Sequence, residues 1–217
     1  MPNLFIHKIS KTFAFTIIEM VVVVGVVSAL ICLLILQYRP STKMASYINC
    51  KVKLLQIGMA FSDFSKEHNN HLPMLISTNQ GGSLEYSATP DYTYQHFKAI
   101  SRQLGPTHYL ICPQDTRRAA TNWENLANTN VSYFIGLDSE RDNPMAIIAG
   151  DRNITPNPSV VLQISKPTSL DWIKSVGLHG DKGHLIFSDG HVEELDSTGL
   201  ANAFQRTGIA TNHFAVP

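Results

Sequence analysis

The chain has 217 residues, with 17 Lys and Arg balanced by 17 Asp and Glu. Zero formal charge gives no sign of a nucleic-acid partner, and the length suits one domain with an appendage. The apolar fraction of 44% is ordinary. It is unevenly spread, because a dense block from Phe13 to Leu36 precedes a rather polar remainder.

Residues 1–14 carry Lys8 and Lys11 and no acid. The apolar run from Met20 to Leu36 is long enough to cross a hydrocarbon core of about 30 Å at about 1.5 Å per residue. A cleaved secretory signal would be shorter and would end at small residues, whereas this run leads into Gln37-Tyr38-Arg39-Pro40. Glu19 stands just inside the apolar stretch. A carboxylate there costs several kcal/mol unless it is paired, and its own helix offers no evident partner. Lys8 and Lys11 before the run and Arg39 and Lys43 after it give only a weak positive-inside bias.

Pro40 should interrupt the helix. A second helix is predicted from Thr42 to His68. In it Ile48, Val52, Leu55 and Met59 recur at helical spacing, widened by Leu54, Ile57, Phe61 and Phe64. We read this as a core-facing stripe, with a contact between subunits as the other use of such a face. The sequence His68-Asn69-Asn70-His71-Leu72-Pro73 ends the helix. Residues 78–94 read as loop and Phe97–Leu104 as a short helix. Strands are predicted at His108–Cys112, Val131–Ile135, Ala146–Ala149, His184–Phe187 and His191–Leu195. The last two form a hairpin across Ser188-Asp189-Gly190. Ser197–Arg206 reads as a capped helix. A long helix followed by short strands predicts an α+β fold, with the helix packed on a small antiparallel sheet.

Cys32 falls within the apolar block. That leaves Cys50 and Cys112 as a candidate pair, since a disulfide is permitted if the soluble part is exported. Two buried, unpaired thiols are the other reading. His179, Asp181, His184, Asp189 and His191 lie within thirteen positions, a tract that could hold a metal. Turn chemistry explains it more simply, with His184 and His191 as cross-strand neighbours, so we expect no metal site and no cofactor. No nucleophile–base arrangement stands out, and Gly81-Gly82 lacks the Lys-Ser/Thr of a phosphate loop.

Two stretches resemble known proteins. Ala14 followed by Phe15-Thr16-Ile17-Ile18-Glu19 and an apolar helix resembles the type IV pilin signature, with Ala14 where that family usually has Gly. The resemblance implies that a prepilin peptidase cuts between Ala14 and Phe15 and methylates the new Phe15 amine. Glu19, fifth in the mature chain, would pair with the amine of a neighbouring subunit. It further implies a leader at 1–14, a transmembrane assembly helix at 15–38, an exported helical spine at 39–70 and a head at 71–217. The protein would be single-pass in the inner membrane, with the head in the periplasm or outside the cell. His179, nine intervening residues and Asp189-Gly190 are similar to a C-terminal motif of pilin-like proteins grouped with type II secretion pseudopilins. Cys50 within Asn49–Gly58 and the segment Cys112-Pro113-Gln114-Asp115 are similar to further features of that branch. The expected function is that of a filament subunit with no catalytic residues. Its partners would be a prepilin peptidase, other pilin or pseudopilin subunits and an inner-membrane assembly platform, with no nucleic acid. The alternatives are a minor or tip subunit acting as a binding module, and an anchored, exported metal-dependent enzyme.

Overall fold

A computed structural model describes residues 16–37, 42–154, 161–164, 170–174 and 178–217. The chain divides after Ser41 into two compact units. In the first, α1 (Ile17–Gln37) is a 21-residue helix. Its stretch Ile17–Ile35 has a mean hydropathy of 2.9 and is long and apolar enough to cross a membrane. All described side chains from Thr16 to Ile35 are exposed. Ser28, a polar residue in this run, donates its hydroxyl to the Gly25 carbonyl, which satisfies it within the helix.

The second unit begins with α2 (Thr42–Glu67), which belongs to the same compact unit as the sheet. Asn69 and Asn70 end it at φ 53° and 66°, a left-handed backbone that Asn tolerates better than most residues. The short helices α3 (Thr93–Ala99) and α4 (Ser101–Leu104) follow. Then come β1 (Tyr133–Gly136), β2 (Ile147–Asp151), β3 (Val161–Ile164), β4 (Lys182–Phe187), β5 (Val192–Asp196), α5 (Ser197–Arg206) and β6 (Asn212–Ala215). The six strands make one antiparallel sheet in the order β3-β6-β1-β2-β4-β5. The α+β class follows from this arrangement.

The sheet is covered on both faces. Strand alternation sends Tyr133, Ile135 and Ile186 into one core with Cys50, Leu54, Ile57, Phe61 and Phe64 of α2. It sends Phe134, Leu185 and Phe187 into the other, with Leu200, Ala203 and Phe204 of α5. At Gly58 a Cβ would lie 1.9 Å from the Ile186 side chain, so the glycine lets α2 sit close against β4. Asp196 caps α5 by accepting from the Gly199 N–H at 2.7 Å.

Three expectations require correction. First, the stripe Ile48, Val52, Leu55 and Met59 does not face the core: these residues are 55%, 44%, 39% and 57% exposed. The buried stripe is Cys50, Leu54, Ile57, Phe61 and Phe64. A helix turns through about 100° per residue, so two stripes offset by two positions lie on nearly opposite faces, and only one can meet the sheet. Second, His108–Cys112 is not a strand; Thr107–Leu110 is a 3-10 turn. Its carbonyls go elsewhere: Lys53 of α2 donates to those of His108 and Ile111 at 2.8 Å each, and the Ser132 N–H donates to that of Leu110. Third, His184 is opposite Glu194, not His191.

Candidate functional site

At the start of α1 the Thr16 N–H and hydroxyl both donate to Glu19 Oε2 at 2.8 Å, and the Glu19 N–H donates to the Thr16 hydroxyl at 3.4 Å. This is a reciprocal capping box, which satisfies N–H groups that the first helical turn leaves without partners. Glu19 therefore has a partner on its own helix, contrary to the expectation above. A negative charge in the first turn also suits the helix dipole. Ala14 and Phe15 lie outside the described residues, and Cys32 is an exposed free thiol.

In the head the structure pairs Cys50 of α2 with Cys112 as a disulfide, with Cα atoms 5.0 Å apart and both residues fully buried. The segment that follows Cys112 is anchored by Asp115. The Arg152 guanidinium donates two hydrogen bonds to this carboxylate at 2.8 and 2.7 Å, and the Ser132 hydroxyl donates a third at 2.7 Å. Burial pushes the Asp115 carboxyl up, but the hydrogen bonds from Arg152 and Ser132 and the Arg152 charge more than offset this, so its pKa falls below the ordinary value.

His179 lies against the disulfide, with Nε2 3.4 Å from Cys112 Sγ. Its Nδ1 is 3.1 Å from Gln114 Oε1. That oxygen only accepts, so Nδ1 carries the proton. Nε2 faces Asp151 Oδ2 at 3.4 Å. Asp151 ends β2, and antiparallel pairing of Gly150 with Leu185 sets it beside His184 of β4. Its Oδ2 accepts from the His184 N–H at 2.7 Å and lies 3.0 Å from His184 Nδ1. The side chains of Asp151, His179 and His184 are 0%, 0% and 1% exposed. Tyr47 of α2 closes the cluster, its ring 4.5 Å from each imidazole. Burial, and then the Glu194 carboxylate, push the Tyr47 phenol up. Burial holds the His179 imidazole below the ordinary histidine value against the opposing pull of the Asp151 charge.

Of the tract predicted from sequence, the structure gathers only His179 and His184. The His179 and Asp189-Gly190 parts of the shared motif sit beyond opposite ends of β4. Asp189 instead holds the hairpin turn: its Oδ1 accepts from the His191 N–H at 3.0 Å and meets the His191 ring. Gly190, at φ 93°, takes the left-handed position in that turn and donates its N–H to the Phe187 carbonyl. His191 stacks on Phe187, on the α5 side of the sheet, while His184 faces α2. Asp181 pairs only loosely with Lys174, at 3.8 Å. Sequence reading missed Asp151, Arg152 and Tyr47. The one signal for Asp151 was an acid at the end of an apolar strand, Ile147-Ile-Ala-Gly-Asp151. Neither a protein-family model, nor a curated protein, nor a solved structure matches this chain.

Proposed function

We propose that this chain is a structural subunit of a type IV pilus-like or type II secretion pseudopilus filament, cut between Ala14 and Phe15 and N-methylated there by a prepilin peptidase. The observation that carries this reading is α1: an apolar helix of 21 residues, exposed wherever its side chains are described, with a carboxylate in its first turn. Glu19 caps its own helix, and in an apolar setting its charge would in addition favour a cationic neighbour. The Phe15 amine of an adjacent subunit supplies that cation. The exposed stripe Ile48, Val52, Leu55 and Met59 adds an apolar face for packing between heads. On this reading the protein is single-pass in the inner membrane with its head in the periplasm or outside the cell. The chain is a substrate of the peptidase and itself needs no catalytic residue or cofactor. Other subunits and an inner-membrane assembly platform are its partners.

Mass spectrometry of the protein isolated from its native membrane tests this. The expected mature chain begins at Phe15 and carries one methyl group on its amine. A mature chain that begins at Met1, or anywhere beyond Leu36, overturns the reading.

A further inference from the structure

We infer that Asp151, His179 and His184 form a buried binding site for a single Zn2+ ion, enclosed between α2, β2 and β4. Three separate parts of the fold bring these donors together, and one atom from each residue lies within 4.8 Å of the others. The strongest evidence is a conflict of acceptors. Because His179 Nδ1 gives its proton to Gln114 Oε1, the lone pair of Nε2 faces the carboxylate oxygen of Asp151 across 3.4 Å. Two acceptors aimed at each other in a dry interior repel unless a cation lies between them. A tetrahedral ion with bonds of about 2.1 Å separates its donors by about 3.4 Å.

The remaining valences agree. Asp151 Oδ1 and His184 Nε2 are buried and have no hydrogen-bond partner among the described residues. Among the described residues, the two imidazoles pair with the Asp151 carboxylate within 4 Å. One oxygen of Asp151 and one nitrogen from each histidine supply three donors, and a water would complete the tetrahedron. Two imidazoles favour Zn2+ over Ca2+ or Mg2+, which prefer all-oxygen shells. Cys112 also approaches His179, but its sulfur is in a disulfide and offers no thiolate. The outer shell is that of a metal site as well: Gln114 fixes the tautomer of His179, and the His184 N–H orients Asp151. Because the ligand side chains are enclosed, the ion would serve structure, tying the segment that carries His179 to the β2–β4 pair. This inference is independent of the filament reading, and either can fail alone.

The test uses the full chain, purified in detergent, stripped with a chelator and dialysed against buffered Zn2+. Bound metal is counted by mass spectrometry, and Co2+ is substituted as a spectroscopic probe. The expected result is one Zn2+ per chain and visible Co2+ absorption of the tetrahedral type. The Tm should rise by about 5–10 °C when free Zn2+ exceeds Kd a hundredfold. Gln114→Ala, which leaves every ligand in place, should weaken binding about 10–100-fold, and His179→Gln should weaken it further. A double variant Asp189→Asn, His191→Ala, at the exposed turn, should bind as the wild type does. A folded wild-type protein that holds no Zn2+ at 10 µM free metal (about −7 kcal/mol on the affinity scale) overturns the inference. So does unchanged affinity in His179→Gln, or loss of binding in the turn variant. If His179→Gln does not fold, Gln114→Ala and the Co2+ spectrum of the wild type decide.

Discussion

Glu19 answers to two demands. Within its own chain it accepts from Thr16 and caps α1; in the proposed filament it is the counter-ion of a neighbour's amine. Two substitutions separate these roles. Glu19→Gln keeps an acceptor for the cap, because Gln serves at the third helical position as Glu does, but it removes the charge. Glu19→Ala removes both. Both variants should reach the membrane, since losing a charge eases insertion, and both should be depleted from the filament fraction when membrane and filament amounts are compared. Assembly of Glu19→Gln at wild-type levels, with Glu19→Ala defective, would reduce the residue to a cap. The order of Phe15–Glu19 and the depth of its charge were legible in the sequence, whereas the box with Thr16 went unread, although the spacing Thr16-x-x-Glu19 permits it. The triad in the head was not. Asp151 has no histidine in its own segment, and it meets His184 only through the register of β2 and β4, which no local pattern encodes.

At the scale of the element, α2 is a helix with two apolar faces and one sheet to cover. Phe61 faces the sheet, and Phe61→Ala should cost about 3–5 kcal/mol of head stability. Val52→Lys and Met59→Lys, on the opposite face, should shift stability by no more than about 0.5 kcal/mol while lowering incorporation into filaments. Thermal unfolding and filament yield, measured on the same variants, check both halves. Equal destabilisation by all three would mean that the outer stripe is packed after all. Period 3.6 announces that a helix has a stripe but not which stripe meets the core. Gly58 marked the right face, since a glycine mid-helix beside Ile57 and Phe61 points to close backbone approach. The strands β1, β2, β4 and β5 and the helix α5 were visible because each is local, bounded by turn residues or a cap. Strands β3 and β6 were not, because four residues without strong alternation carry no periodic signal. The apolar run His108–Cys112 misled because its carbonyls are taken by Lys53 and Ser132 and not by a strand.

Among the described residues of the head, His96, His179 and Asp115 are buried groups whose depressed pKa values shape the response to acid. His96 is enclosed, its Nδ1 2.7 Å from the Ser83 hydroxyl, and burial lowers its pKa to about 4. The unfolded chain therefore binds a proton near pH 6.5 that the folded head refuses until about pH 4. Stability from this group is complete above pH 6.5 and declines as pH falls through that window, by about 3 kcal/mol in all. Asp115, whose folded pKa is also depressed, contributes above its unfolded value near 3.9 and is lost below it. Denaturant midpoints should thus fall in two stages with acidification, and His96→Gln should make the first shallower, leaving the part that belongs to His179, without altering the second. A wild-type midpoint that does not change between pH 6.5 and 4.5 contradicts this. The position of β6 carries a consequence of another kind, one of timing. Strand β6, residues 212–215, lies between β1, residues 133–136, and β3, residues 161–164. A ribosome or translocon delivers those residues well after both neighbours. Until they arrive, one side of β1 and of β3 offers unpaired backbone to any passing strand, and loop closure across so long a separation makes the final insertion slow. The head is thus open to wrong partners along β1 until β6 slots in between β1 and β3, one strand in from the edge of the sheet.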